Sequence, residues 1–152
     1  MSHSDAQERL IGALLRIPYQ ATIDHVRRHL ADAGYTDLSI AHFSVFQHLP
    51  PGGARVTMLA SSAQMTKQSM SALVEHLLER GYLERRPDPT DGRASLVTLT
   101  ERGAALVLVA RKAIQELEQE WNEYLGSERM EQLRTTLRDL ANLIERQQGR
   151  TS

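Results

Sequence analysis

The stretch from Thr57 to Thr100 constrains the fold of this 152-residue chain more than any other part of it. Thr57 and Thr66 each offer a hydroxyl that can cap the first turn of a helix, and Gln64-Met65 forms a tight turn between the two helices. Gly81 is suited to end the second helix. The apolar residues of that helix recur at the spacing that buries one helical face: Met70, Leu73, Val74, Leu77 and Leu78. The sequence therefore predicts a helix-turn-helix.

A β-hairpin is predicted directly after the second helix. Tyr82–Arg86 has a strand-like composition, and Leu96–Leu99 is rich in β-prone residues that can return antiparallel to it. Between them, Pro87–Arg93 contains two prolines that fix φ and a glycine that permits positive φ. A helix-turn-helix followed by such a hairpin is a winged helix. Three cations lie on or beside this wing: Arg85, Arg86 and Arg93.

This segment resembles the winged-helix module of the MarR (multiple antibiotic resistance regulator) family of bacterial transcription factors. The family's wing pattern, Asp-x-x-Asp-x-Arg followed by Leu-Thr-x-x-Gly, is present as Asp88-Pro-Thr-Asp91-Gly-Arg93 and Leu99-Thr-Glu-Arg-Gly103. The start of the second helix, Thr66–Met70, matches a common variant of the family. The flanking helices fit its layout, so the resemblance covers nearly the whole chain. It predicts a mainly α fold with a small antiparallel β-wing.

The organisation predicted for the chain is one domain over residues 1–152. A winged helix-turn-helix occupies 39–103, and dimerisation helices occupy 5–34 and 104–147. In the first of these helices, Ser4 or Asp5 can act as the cap, and Pro18 is expected to kink or break the helix. Ser39 is expected to cap the next helix, and Ala54–Val56 is expected to add a short third strand to the wing.

The last helix carries an apolar seam that needs a partner surface. Its apolar residues repeat with a 3-4-3-4 spacing typical of coiled coils: Met130, Leu133, Leu137, Leu140 and Ile144. The simplest partner is a second copy of the chain, and the family resemblance implies the same homodimer. Such a dimer would present two recognition helices to successive major grooves, about 34 Å apart. The alternative is an intramolecular bundle.

The charge of the chain does not by itself indicate nucleic acid. The formal net charge is −1, and the segment from Arg55 to Gly103 contains seven basic and six acidic residues. DNA binding would therefore need cations clustered on one face and would depend on salt. The absence of cysteine excludes disulfides and oxidation sensing through a thiol. Nothing resembles a signal peptide or a membrane span, so a cytoplasmic protein without a membrane partner is expected.

The sequence predicts contacts to double-stranded DNA from the second helix and the wing. Lys67, Gln68 and Ser71 are placed to reach base edges in the major groove, whereas Thr66 and Ser69 suit phosphates or the helix cap. Arg93 resembles the family's wing-tip arginine, which enters the minor groove, and Asp91 is expected to hold its guanidinium by an ion pair. The full predicted set is Thr66, Lys67, Gln68, Ser69, Ser71, Arg85, Arg86, Asp91 and Arg93.

The family resemblance also implies a small-molecule effector. Family members sense small molecules, often aromatic or phenolic acids, in a cleft between the dimer helices and the wing module. The candidate effector-binding residues in this chain are aromatic or imidazole side chains near Pro18 and on the helix after it, namely Tyr19, His25, His42 and Phe46. The predicted function is thus a homodimeric repressor of a palindromic operator, released by such a ligand, with no cofactor. His25 and His29 share a helix face, but without further ligands they predict no metal site.

Two other classes of function stay open at this point. A winged helix can serve as a protein-interaction module without DNA readout, and the near-neutral charge is compatible with that role. A metal-dependent enzyme is the remaining alternative. The sequence contains no nucleophile elbow, phosphate-binding loop or paired carboxylates in a recognisable arrangement, so the chain is not predicted to be an enzyme.

Overall fold

The computed structural model describes residues 10–149, which form six helices and one two-stranded antiparallel sheet. This confirms the predicted fold class. In chain order the elements are α1 Ile11–Asp32, α2 Ile40–His48, α3 Val56–Ser62, α4 Lys67–Glu79, β1 Leu83–Asp88, β2 Asp91–Leu99, α5 Glu101–Leu125 and α6 Ser127–Gly149. The chain divides into two compact units, Met1–Ala113 and Ile114–Ser152. The caps predicted at Ser4 or Asp5 lie outside the described residues.

Helix α1 is continuous through Pro18, so the break expected there is wrong. Proline removes one N–H group, which leaves the carbonyl four residues earlier, that of Leu14, without its helical partner. The surrounding surface of α1 is exposed, so water can reach that carbonyl. The hydroxyl of Thr22 donates to the carbonyl of Pro18 at 3.0 Å. The helix ends before Gly34, whose φ of +93° suits glycine.

The first unit is organised around a buried apolar core. Three residues of α1 at helical spacing, Ile23, Val26 and Leu30, belong to it, as the periodicity predicts. Helices α2, α3 and α4, the wing and the first part of α5 contribute the other members, which include Phe43, Val45, Leu59, Met70, Val74, Leu77, Tyr82, Val97 and Leu106. The winged helix thus has its own core beneath both the helix-turn-helix and the hairpin.

The start of the helix-turn-helix differs from the prediction in two respects. Arg55, and not Thr57, is the N-cap of α3, so Thr57 lies inside the helix. The expected third strand is a single bridge, in which Ala54 and Val97 exchange backbone hydrogen bonds of 3.1 and 2.9 Å. The strand cannot extend because α3 begins at Val56. Only glycine fits at position 53 beside this bridge. The Cβ of any other residue would lie 2.5 Å from the carbonyl oxygen of Val97 and clash with it.

The wing is anchored to α5 at its base. Strands β1 and β2 pair in register from Leu83–Leu99 outward, with an irregularity near the tip. Thr100 accepts a hydrogen bond from the backbone N–H of Gly103 at 3.1 Å and donates to the carbonyl of Gly81, so its hydroxyl caps the first turn of α5. Gly103 is confined, because a Cβ there would lie 2.0 Å from the carbonyl oxygen of Tyr82.

The second unit contains the end of α5 and the whole of α6. Leu117 and Met130 are buried, and Arg134 pairs with Glu118 at 3.2 Å. Further along α6 the apolar seam is exposed in the single chain at Leu133, Leu137, Leu140 and Ile144. None of the helices within residues 10–149 combines the length and the apolar character needed to cross a membrane.

Candidate nucleic-acid interface

The first turn of α4 is fixed by two hydroxyl side chains. The backbone N–H of Ser69 donates to Oγ1 of Thr66 at 3.1 Å, and the Thr66 hydroxyl donates to Oγ of Ser69 at 2.8 Å. Thr66 is therefore the N-cap that the sequence predicts. Gln64, with φ of +54°, forms the left-handed turn between α3 and α4. The cap sets where α4 begins and thus which side chains lie in its first turn.

Helix α4 presents a free polar face opposite its buried one. Its inner side chains, Met70, Val74 and Leu77, are fully buried. Lys67 and Gln68 are exposed and Ser71 is half-buried. The side chains of these three polar residues make no hydrogen bond or ion pair with any residue of the described segment 10–149. They keep donors and acceptors of the kinds that recognise base edges.

The cations of the wing differ in their partners. Arg85 pairs with Glu75 and so joins β1 to α4, while Nε of Arg86 donates to Glu84 at 2.9 Å. The guanidinium of Arg93 has no such partner among the described residues. Lys67 on α4 and Arg93 on the wing are therefore the cations of the predicted site that carry no local carboxylate.

The ion pair expected between Asp91 and Arg93 is not formed. Oδ1 of Asp91 instead accepts the backbone N–H of Arg93 at 3.1 Å, and Oδ2 lies 3.8 Å from a terminal nitrogen of Arg55. Aspartate at a hairpin tip commonly folds back onto the backbone two residues later, and this turn engages the carboxylate. Asp91 shapes the backbone that carries Arg93 and leaves the guanidinium exposed.

A second anchor of the wing, between Arg55 and Asp88, was not identified from the sequence. Nε of Arg55 donates to Oδ2 of Asp88 at 2.7 Å, while Oδ1 of Asp88 accepts the backbone N–H and the hydroxyl of Thr90 at 2.9 and 2.8 Å. These hydrogen bonds, those from Thr90 first and then that from Arg55, lower the pKa of Asp88 to about 2. Asp88 belongs to the wing motif, but nothing local indicates Arg55 as its partner.

A polar cluster supports the base of α4. The hydroxyl of Tyr82 donates to Oδ1 of Asp37 at 2.6 Å, and Arg102 donates to the same hydroxyl at 3.0 Å while stacking over the tyrosine ring at 4.4 Å. The bond from Tyr82, with smaller contributions that include Arg102, lowers the pKa of Asp37. Nε2 of His76 on α4 lies 2.8 Å from the carbonyl oxygen of Asp37. The cluster ties α4 to the segment before α2 and to α5.

Comparison with known proteins assigns this architecture to a family. The family model described as MarR family matches residues 36–94. A helix-turn-helix-type transcriptional regulator of Mycobacterium leprae is 34% identical over 108 residues, which cover 70% of this chain and 73% of that protein. The chain belongs to the MarR family. The resemblance seen in the sequence is thereby confirmed, and the protein is a DNA-binding transcriptional regulator.

Solved structures of MarR-family regulators have the same fold. The crystal structure of MarR superposes with a TM-score of 0.78 at 22% identity, covering 98% of this chain and 99% of that one. CouR from Rhodococcus jostii RHA1, bound to p-coumaroyl-CoA, has a TM-score of 0.69 at 26% identity, covering 91% of this chain and 96% of that one. The repressor CouR bound to a 23-mer DNA duplex gives 0.68 at 25% identity, with 87% and 92% covered.

The predicted effector residues of this MarR-family chain lie in different surroundings. Phe46 borders a cavity of about 680 Å³ between the end of α2, the wing and α5. Tyr19 is exposed on α1, the ring of His25 lies 4.3 Å from that of His29, and His42 stacks on His76. The cavity is lined mainly by apolar residues and two arginines, which include Leu49, Pro87, Leu96, Val107, Arg86 and Arg111. Sequence reasoning missed Arg111, which carries no local signal of this role.

Proposed function

We propose that the protein is a homodimeric repressor that binds a palindromic operator and is released by a small aromatic or phenolic acid. The observation that carries this proposal is the free polar face of α4. A recognition helix needs its apolar face buried and its N-terminal polar side chains available, and α4 has both properties. Within residues 10–149, Lys67 and Gln68 make no side-chain hydrogen bond or ion pair at this end of the helix.

The two ends of the DNA contact would serve different purposes. Lys67 can donate to guanine and Gln68 can pair with adenine in the major groove, with Ser71 as a further donor or acceptor. Arg93 would enter the minor groove, where a narrow A·T-rich segment attracts an unpaired guanidinium. Arg85 and Arg86 are each paired with a glutamate, so either would have to exchange that partner to contact a phosphate. Thr66 and Ser69 are engaged in the cap of α4.

The dimer is supported by apolar surface that the single chain leaves open. On α6, Leu133, Leu137 and Leu140 are each about two-fifths exposed although they repeat at a core-like spacing. At the start of α1, the N-cap residue Leu10 and the helical residues Ile11 and Leu14 are also exposed. Apolar side chains in such runs favour burial against a partner, and a two-fold pair of chains would bury identical surfaces on each.

The effector site is proposed at the cavity between α2, the wing and α5. Phe46 offers an aromatic face, and Arg111 has no ion-pair partner within residues 10–149 and can bind a carboxylate. CouR, whose fold this chain shares, has been solved with p-coumaroyl-CoA and with DNA. A ligand in this cavity would contact the base of the wing. It would release the operator by favouring a conformation in which the recognition helices no longer match successive grooves.

DNA binding is tested by fluorescence anisotropy with the duplex upstream of the protein's own gene, a scrambled duplex and a salt series. Tight, salt-dependent binding to the native duplex alone is expected.

The variant Gln68→Ala should lose discrimination between the duplexes, by roughly five- to a hundredfold for one base contact. Arg93→Ala should weaken operator binding strongly and leave the dimer intact. Arg129→Ala, which removes an exposed cation of α6 outside the winged helix, is the matched control and should change little.

Equal and weak binding to both duplexes would contradict the choice of operator. A genomic DNA pull-down would then decide between another operator and a winged helix that engages a protein. Release is tested by titrating p-coumarate, p-coumaroyl-CoA and salicylate into the preformed complex. Arg111→Gln should raise the concentration needed for release without changing operator affinity, whereas an unchanged release curve would remove this cavity from the mechanism.

A further inference from the structure

Two histidines stack against each other where α2 packs on α4. The ring centroids of His42 and His76 lie 4.3 Å apart, and the ring planes are inclined by 23°. His42 is buried in the first turn of α2, and His76 is half-buried in the last turn of α4. The pair is therefore a direct contact between the recognition helix and the helix that supports it.

The hydrogen bonds of both rings fit neutral imidazoles. The backbone N–H of Ser39 donates to Nδ1 of His42 at 2.9 Å, so this nitrogen acts as an acceptor and the ring proton is on Nε2. Nε2 of His76 lies 2.8 Å from the carbonyl of Asp37, which can only accept, so this nitrogen carries a proton. A second proton on His42 would have to bind Nδ1. The Ser39 hydroxyl, 3.0 Å away, can accept it, but the Ser39 amide would then face an N–H group.

The charged groups around the pair supply little compensation for added positive charge. The carboxylate of Asp37 acts on His42, whereas its backbone carbonyl bonds His76. That carboxylate is already engaged by the Tyr82 hydroxyl at 2.6 Å and by Arg102 at 3.8 Å. Arg80, the residue that ends α4, adds a further positive charge near Asp37. No other charged group among the described residues is in contact with the pair from α2, α4, β1 or α5. Protonating both rings would place two cations 4.3 Å apart.

We propose that the His42–His76 pair makes DNA binding by this protein sensitive to protons, because the recognition helix stays docked on α2 only while both rings are neutral. The proposal rests on the proposed function in one respect, namely that α4 reads DNA. When the rings are protonated, repulsion between them and loss of the Ser39 bond favour a conformation with α4 displaced. Only protein with α4 docked on α2 binds DNA, so the apparent Kd for DNA equals the Kd of the docked form divided by the fraction of protein that is docked.

The direction of the effect follows from the environment of His42. Burial, and then the proximity of His76, lower the pKa of His42, while Asp37 opposes the shift. The docked arrangement thus binds protons less readily than an open one, in which the pKa is about 6.5. Above about pH 6.5 the docked arrangement of α4 on α2 keeps its full stability relative to the open one. This stability decreases as the pH falls from about 6.5 towards the lower pKa that His42 has in the docked arrangement.

The experiment compares the full-length protein with the double variant His42→Asn/His76→Gln. Asn can present an oxygen near the position of Nδ1 of His42, and Gln can present an N–H near Nε2 of His76, so both contacts are approximated without a titrating group. His48→Gln is the matched control, because His48 lies on α2 and bonds the carbonyl of Ser44 away from the pair. Two readouts are taken from pH 8 to 5.5 at constant ionic strength: operator affinity by anisotropy, and NMR spectra of the histidine rings and α4 amides.

For the unmodified protein and His48→Gln, we expect operator Kd to rise by about three- to tenfold on acidification, relative to the double variant. The α4 amide signals should shift together with titration of the His42 ring, and this shift should be absent from the double variant. Equal pH profiles for the double variant and the unmodified protein, in both readouts, would overturn the proposal.

Failure of the proposed function would give a different result. If the protein binds no duplex at any pH, α4 does not act on DNA under these conditions, and the NMR readout still decides whether the pair controls the docking of α4. If the double variant fails to fold, as judged by its thermal transition, the single variant His76→Gln replaces it. That variant leaves one imidazole of the pair, so protonation can no longer place two cations against each other. If its α4 amide signals changed with pH in the same way as those of the unmodified protein, the proposal would be overturned.

Discussion

Arg55 donates from Nε and from a terminal nitrogen to the same carboxylate oxygen of Asp88, and each of these distances is 2.7 Å. The contact joins the residue that caps α3 to the last residue of β1. The wing is therefore fastened near its tip to the helix-turn-helix, as well as at its base to α5. This fastening fixes the position on the wing of Arg93, the residue proposed to enter the minor groove.

Loss of this contact should weaken operator binding without unfolding the protein. Asp88→Asn keeps an acceptor for Thr90 and removes the charge that holds Arg55. We expect roughly a three- to tenfold loss of operator affinity, the range for the net contribution of about one ordinary hydrogen bond. Anisotropy gives the affinity, and hydrogen exchange of the wing amides reports the loosening. Asp91→Asn, at an exposed carboxylate 3.8 Å from Arg55, is the control for charge alone. An equal loss in both variants would contradict the anchoring role.

The same carboxylate should make stability depend on pH in a defined acid range. Its pKa is lowered in the folded protein to about 2 from an ordinary value near 3.8. The unfolded chain therefore binds more protons between these values, so the stabilisation is present above about pH 4 and is lost as the pH falls towards 2. Urea unfolding from pH 5 to 2 should show a steeper decline for the unmodified protein than for Asp88→Asn. Parallel curves would contradict the assignment.

Gly103 should not tolerate a side chain. In an exposed helix a change from glycine to alanine is stabilising by roughly 1 kcal/mol, but here the added Cβ would lie 2.0 Å from the carbonyl oxygen of Tyr82. We expect Gly103→Ala to lower the free energy of unfolding by about 2–4 kcal/mol, as measured in denaturant. Gly92→Ala, where nothing lies within 4 Å of the new Cβ, should change it by less than about 0.5 kcal/mol. Similar values for both variants would show that Gly103 is not confined.

The apolar seam of α6 should carry the dimer. Leu137→Asp places a charge on this seam, where Leu137 is 40% exposed in the single chain. Burying an unpaired carboxylate between subunits is strongly unfavourable, so we expect sedimentation velocity to show monomers at micromolar concentrations. Thr135→Asp adds the same charge at an exposed position off the seam and should stay dimeric. A dimer that persists in Leu137→Asp would place the main interface elsewhere.

The sequence by itself determined the elements whose signals are local. The spacing of Met70, Val74 and Leu77 selected one buried face of α4, because a helix repeats every 3.6 residues whatever surrounds it. The cap at Thr66 and the stop at Gly81 depend on neighbouring backbone groups alone, and both are present. The wing motif was also evident from the residues themselves, and the family assignment followed from it.

Tertiary structure decided which distant groups meet. Arg55 and Asp88 are 33 residues apart, and Asp37 and Tyr82 are 45 apart, so no periodicity or cap links them. The ion pair expected between the side chains of Asp91 and Arg93 did not form, although the two residues are close in sequence. The carboxylate of Asp91 accepts the backbone N–H of Arg93 instead, so nearness in sequence did not determine its partner. Pro18 stayed within a continuous helix because exposure to water lets the carbonyl of Leu14, which loses its helical partner, be solvated. Long-range contacts depend on how the elements pack, and packing is a property of the folded chain as a whole.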